Sequence, residues 1–136
     1  MTINYQVGDT LPPLKHTASA FQLFRYSAVT WNPHRIHFDE RYAREEGHDG
    51  VALHSHLRAA LALRCVAEGL GPGWRVTKVA YRLRKPVYAP AELAYTARVT
   101  ATEGDTMTLE LIEQQPSGEG GFEGTVSVGK TPGATP

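Results

Sequence analysis

The segment HLRAALALRCVAEG, residues 56–69, constrains this chain more than any other. Wound as a helix, it shows apolar or alanine side chains over most of its circumference. From Leu57 on, only Arg58, Arg64 and Glu68 break that surface. A surface helix carries a single apolar stripe, so a helix apolar over most of its girth must be wrapped by other structure. A main helix is expected near 55–69, and the rest of the chain must supply the wrapping.

The residues after this helix alternate with period two. Over 74–83, Val79, Tyr81 and Leu83 share one parity, and Lys78, Arg82 and Arg84 the other. That pattern predicts a strand with one apolar and one basic face. Pro86 and Pro90 then interrupt, as at an edge or a bend. Over 93–101, Leu93, Tyr95, Ala97, Val99 and Ala101 alternate with Ala94, Thr96, Arg98 and Thr100. Glu103-Gly104-Asp105 is a turn, after which Met107, Leu109 and Leu111 alternate with Thr106, Thr108 and Glu110. A second turn is expected over 117–121, before Phe122, Gly124, Val126 and Val128 alternate with Glu123, Thr125 and Ser127. One buried helix followed by antiparallel strands is an α+β arrangement, a curved sheet around a helix. Ahead of it, Ser19 is placed to cap a short helix through Ala28, and Asp39 to cap another that Gly47 ends.

With 136 residues the chain fits one domain, expected over 1–128, and GKTPGATP (129–136) reads as a flexible tail. Formal net charge is zero, which argues against a general nucleic-acid or membrane surface. The single cysteine, Cys65, falls among apolar helix positions and reads as core, and no internal disulfide can form. The start, MTINYQVGDTLPPL, lacks a basic segment followed by an apolar run, and no stretch approaches the ~20 apolar residues of a membrane span. A soluble cytoplasmic protein is expected.

Five of the six histidines fall between His34 and His56. Asn32 and Pro33 favour a turn, so His34 and His37 are expected on a loop leading to the helix at Asp39. His54 and His56 flank the start of the main helix, where free backbone N–H groups and a partial positive charge can hold an oxygen as negative charge develops on it. A neutral imidazole nearby can take or give a proton near neutral pH. These parts suit proton transfer at a carbon next to a carbonyl. Against that stand blander readings, a surface loop for the histidines and a simple helix cap for Asp39. Zinc is a further alternative, from His34/His37 and His54/His56 with Asp39. The chain has neither an HExxH motif nor a cysteine beside these histidines, and no metal is expected.

The order YSAVTWNPHRIHFDERYAREEGHDGVALHSHL resembles the MaoC-like (R)-specific hydratases and dehydratases, in particular the branch with an N-x-H-R-I-H-[YF]-D segment. The resemblance starts near Val7-Gly8-Asp9 and reaches the stretch 82–93, where Pro86 and Val87 match a recurrent strand end. It implies the hotdog fold, an antiparallel sheet wrapped around a long central helix. It implies reversible addition of water across the double bond of an enoyl thioester, usually of coenzyme A. In this family the hydration motif sets an Asp five residues before the catalytic His; here that pair is Asn32 and His37. The resemblance therefore makes His37 the general acid/base and leaves Asn32 to orient water through its amide. It assigns substrate binding to His54, Ser55, His56, His34 and Arg35, with Arg35 open between fixing its loop and reaching an acyl carboxylate. Coenzyme A phosphates would meet Lys78, Arg82 and Arg84, whose alternative is a solvent face. Where relatives have His-Gly, this chain has His54-Ser55-His56, which implies an altered acyl pocket. Coenzyme A enters only as part of the substrate, and no other cofactor is expected. A homodimer or larger assembly is implied, with sites between units. A hotdog thioesterase and a non-catalytic acyl-CoA-binding subunit are the alternative functions.

Overall fold

A computed structural model describes residues 5–133, with 119 and 120 described by their backbone alone. In chain order the elements are β1 (Leu14–Ala18), α1 (Ala20–Val29), a 3-10 turn (Arg35–His37), α2 (Glu40–Glu45), α3 (Ser55–Leu70), β2 (Trp74–Leu83), β3 (Ala91–Glu103), β4 (Thr106–Gln115) and β5 (Gly118–Lys130). The strands make one sheet in the order β1-β3-β4-β5-β2, antiparallel throughout.

The middle of the sheet curves over α3. Leu93, Tyr95, Ala97 and Val99 of β3, Met107, Leu109 and Leu111 of β4, and Val126 and Val128 of β5 form one buried cluster with Leu57, Leu61, Cys65 and Val66 of α3. The period-two parity expected for β3 and β4 is the parity that is buried. The helix is not sealed on every side: Ala60, Arg64, Ala67 and Glu68 face water, and Arg64 pairs with Glu68 at 2.8 Å. As expected, the Ser19 hydroxyl accepts from Gln22 N and caps α1, and the Asp39 carboxylate accepts from Tyr42 N and caps α2.

Four points depart from the sequence reading. β1 had no signal in the sequence; it is a short strand that borrows its pairing from β3, with His16 opposite Leu93. The turn expected over 117–121 is tighter, since β5 begins at Gly118. The third concerns β2, expected to be half-buried. It is exposed on both parities through Tyr81, with Val76 at 41 %, Val79 at 37 % and Tyr81 at 37 % exposure. β2 is the outermost strand and pairs only with β5, and its register slips between Val76 and Lys78. Alternation marks a face able to be buried; what covers it is decided elsewhere in the fold. β5 also runs through Gly129 to Lys130, so the sheet takes in the first two residues assigned to the tail. The rest of that tail, 134–136, and residues 1–4 lie outside the described residues. Among the described residues no helix is long and apolar enough to cross a membrane.

A buried ion pair fixes α3 to the sheet. Arg58 donates to both carboxylate oxygens of Glu113, at 3.0 and 2.6 Å, and its Nη1 donates to the Lys85 carbonyl at 2.9 Å. Tyr95 completes the shell by donating its hydroxyl to Glu113 at 2.7 Å, and burial together with that carboxylate pushes the phenol pKa well above its usual value. Each charged group has hydrogen-bonding partners, the condition under which charges persist in a core. The Lys85 contact ties the foot of α3 to the segment after β2. Gly121, at φ +73°, presses on the same segment: a Cβ there would lie 2.7 Å from Lys85 Cβ. Arg84 N donates to Gly121 O at 2.7 Å.

Candidate active site

A cleft of about 350 Å³ opens at the N-terminal end of α3, with Asn32, His37, His48, His54, Ser55, His56, Arg84 and Lys85 among its walls. Backbone bonds between three segments build it. Ala52 N donates to Ile36 O at 2.9 Å, Leu53 N to Val87 O at 2.8 Å, and Ala89 N to Val51 O at 3.0 Å. The residues before α3 are thus held between the 3-10 turn on one side and 87–89 on the other.

His37 closes that arrangement. Its Nδ1 lies 2.7 Å from the Ala52 carbonyl. A carbonyl only accepts, so Nδ1 carries the proton and Nε2 keeps its lone pair. Burial lowers the His37 pKa below that of a free imidazole against the Ala52 hydrogen bond, which raises it, and neighbouring His34 and His48 act in the same direction as burial. The ring is therefore neutral near pH 7 and ready to accept a proton at Nε2.

Beneath it lies His54, 1 % exposed. The two rings stack at 3.8 Å between centroids and 18° from parallel. Ser27 of α1 meets His54 Nε2 at 2.7 Å, and Tyr26 packs its ring 4.8 Å away. Burial, then the neighbouring imidazoles of His37 and His56, bring the His54 pKa down to about 4. His54 is also the N-cap residue of α3, yet its side chain makes no capping bond. With the ring drawn aside toward Ser27, the first N–H groups of the helix are left without a side-chain acceptor from the cap.

Asn32 arrives through an unusual backbone. α1 ends at Thr30, Trp31 takes φ +54°, and Asn32 N reaches back to Ser27 O at 2.9 Å. This is a helix end that glycine commonly makes. The Asn32 side-chain oxygen accepts from His34 N at 3.1 Å, an Asx-type turn, so what Asn32 has to offer a ligand is chiefly its NH2 donor. Among the described residues no group of three or more His, Cys, Asp or Glu is arranged to hold a metal ion.

The comparisons with known proteins fit this geometry. A family model, Htd2, hydroxyacyl-thioester dehydratase type 2, matches residues 8–89. The chain belongs to the hydroxyacyl-thioester dehydratase type 2 family. The match spans every wall residue of the cleft, from Asn32 to Pro86. Mesaconyl-C(4)-CoA hydratase of Chloroflexus aurantiacus is 34 % identical over 108 residues, covering 79 % of this chain and 36 % of that protein. The chain therefore spans about a third of that relative's length. Among solved structures, the (R)-hydratase from A. caviae involved in PHA biosynthesis superposes with a TM-score of 0.88 at 20 % identity, over 96 % of this chain and 100 % of that one. The ChsH1-ChsH2 complex from Mycobacterium tuberculosis gives a TM-score of 0.85 at 23 % identity, with the same coverage. These likenesses show that the fold is the hotdog fold.

Of the residues the sequence singled out, the structure of this hydroxyacyl-thioester dehydratase relative gathers Asn32, His37, His54, Ser55, His56 and Arg84 around one cleft. His34 and Arg35 are not among its walls. His34 accepts from Ile36 N and caps the 3-10 turn. The Arg35 guanidinium holds Asp39 at 2.7 Å and lies over the Tyr42 ring, so of its two expected roles it fills that of fixing the loop. Lys78 and Arg82 sit along β2, in register with Ser127 and Glu123, and are not among the cleft walls. Arg84 reaches the cleft while paired with Glu123 at 2.9 Å. Sequence reasoning missed Ser27, the Ala52 carbonyl, Lys85 and the Arg58–Glu113 pair. Glu113 carried a usable signal, since it continues the buried parity of Met107, Leu109 and Leu111.

Proposed function

We propose that the protein hydrates enoyl-coenzyme A thioesters and dehydrates the corresponding 3-hydroxyacyl thioesters, with His37 as the one group that moves protons. The reading rests on one observation, the His37 Nδ1 contact to the Ala52 carbonyl, which leaves Nε2 as a base at the foot of α3. Water bonds to the β carbon as Nε2 takes one of its protons. The double-bond electrons shift to the α carbon and the thioester oxygen, and N–H groups at the start of α3 hold that oxygen as it becomes negative. The imidazolium then returns a proton to the α carbon, so one water is added and His37 ends neutral. Asn32 cannot carry a proton; its NH2 orients the water. Arg84 and Lys85 at the cleft wall supply cations for the coenzyme A phosphates.

The Chloroflexus relative makes mesaconyl-C(4)-CoA one member of the panel of short enoyl thioesters to try. A second hotdog unit, in a homodimer or larger assembly, covers the exposed side chains of β2. The test is water addition to a panel of short enoyl-CoAs, followed by loss of the conjugated thioester absorbance. Turnover is expected for wild type, with His37→Ala slower by about 10²- to 10⁴-fold. Equal rates for the two proteins, or no turnover by wild type, would end this reading.

A second reading has one observation in its favour. Among the described residues no carboxylate is part of the cleft walls, and Asn32 stands where a second proton-transfer group would be. A non-catalytic acyl-CoA-binding subunit needs no such group. Calorimetric binding of acyl-CoA without turnover by any assembly of this chain would favour it. The same lack of a carboxylate weighs against a thioesterase.

A further inference from the structure

His54 is a buried imidazole that the proton-transfer scheme does not use. Its Nδ1 is sealed from solvent and has no hydrogen-bond partner among the described residues. A buried polar atom left unpaired is costly and needs an explanation. A leucine or phenylalanine would fill the same space without that cost. The ring is also diverted from capping the helix it precedes. Two of its contacts account for its orientation: Nε2 on the Ser27 hydroxyl, and the ring face on His37.

We propose that Ser27 and His54 are positioning residues for His37, forming a fixed shelf on which the reacting imidazole lies. This rests on the reading of His37 as the proton-transfer group and extends it to two residues beneath. Apart from its own Cβ–Cγ bond, the His37 ring is held at one atom, Nδ1, by the Ala52 carbonyl, which leaves it room for a small swing. A flat surface 3.8 Å below removes the swing and aims Nε2 in one direction. Ser27 keeps the shelf from rotating, because a buried His54 without that bond has two unpaired ring nitrogens rather than one. Tyr26 backs the shelf from α1.

The shelf also assigns the charge. Two stacked imidazoles cannot both be protonated without strong repulsion. His54, only 1 % exposed, stays neutral and leaves the proton to His37. The titratable groups around the pair are His34 and His48 near His37, and His56 and Tyr26 near His54. In the imidazolium state His37 rests on the π face of a neutral ring, a favourable arrangement for a cation. A nucleophilic or acid/base part for His54 itself is not needed, since the ring is 1 % exposed.

The test compares wild type with His54→Ala, His54→Phe and Ser27→Ala by two readouts. The first is NMR titration of the His37 ring without substrate. The second is kcat and KM for hydration. Removing the shelf in His54→Ala admits water over His37, so its titration midpoint rises toward the ordinary imidazole value by about half a unit or more. In the same variant kcat falls about tenfold or more, with KM within about twofold. His54→Phe keeps a flat face and recovers part of the lost kcat. Ser27→Ala moves both readouts in the direction of His54→Ala, by less. An unchanged His37 titration in both His54→Ala and Ser27→Ala overturns the proposal, whether or not the protein turns over a thioester. So does a loss seen only in KM. If wild type proves inactive while the titration shifts as expected, the hydratase reading fails and the shelf stands. A poorly folded His54→Ala leaves His54→Phe and Ser27→Ala to decide by the same criteria.

Discussion

His54 lies flat against His37, 18° from parallel, with its Nε2 2.7 Å from the Ser27 hydroxyl. Stability must depend on pH as a result. In the unfolded chain His54 titrates near the ordinary value of 6.5; folded, it is held to about 4. Between those values the unfolded state binds more protons, so stability rises with pH through that window and is lost as pH falls through it. His37, also lowered, acts with the same sign. The two-and-a-half-unit gap for His54 corresponds to roughly 3 kcal/mol. Urea unfolding at pH 7 and at pH 4.5 should show the drop, and His54→Phe should remove a large part of it. An equal acid limb in that variant contradicts the assignment.

Placing a carboxylate at position 32 should move the acid limb of the proposed hydration. The Asn32 side-chain oxygen already accepts from His34 N, so a carboxylate in Asn32→Asp keeps the turn. A negative group facing the same cleft favours protonated His37 and raises its pKa. The fall of kcat/KM on the acid side should then begin at a higher pH than in wild type. A pH profile of both proteins on one enoyl-CoA checks this; a limb that stays put means that position 32 does not face the imidazole.

Breaking the buried ion pair should be costly in either half. Arg58 and Glu113 have side chains 1 % and 0 % exposed. Arg58→Met leaves a buried carboxylate, and Glu113→Leu a buried guanidinium; each should lose about 3–5 kcal/mol. The double variant should recover much of the summed loss, because no charge is then stranded. Chemical denaturation of the three proteins measures it, and simple additivity would contradict the pairing.

Trp31 offers a gain. It is 91 % exposed and sits at φ +54°, where a side chain is strained and glycine is not. Trp31→Gly should stabilise the isolated chain by about 1 kcal/mol. A loss in urea unfolding would mean that the indole makes contacts worth more than its strain.

The parts of the fold that the sequence announced are those whose neighbours lie on α3. β3 and β4 alternate cleanly because one face of each meets the helix and the other meets water. β1 was silent because LKHTA is only five residues long, and its inner face, Leu14, His16 and Ala18, carries a histidine and a single large apolar side chain. Nothing local could place it beside β3. The same holds at the site. His37 was legible from a motif, whereas Ser27 and His54 are 27 residues apart and meet only because α1 packs against the foot of α3. Arg35 and His34 carried the motif's residue types but serve the loop, since a turn this tight uses its own side chains to satisfy its backbone.

The open margin of β2 has a consequence for handling the protein. Backbone amides and carbonyls along an unpaired strand invite any passing strand to zip onto them. Arg75, Lys78 and Arg82 line that margin with positive charge. Like-charged rows repel, so edge-to-edge pairing of assembled copies through this margin is opposed electrostatically. Concentrated salt shortens the range of that repulsion to a few ångströms. Clouding of the purified chain should therefore set in as ionic strength climbs, and dilute buffer should keep it clear.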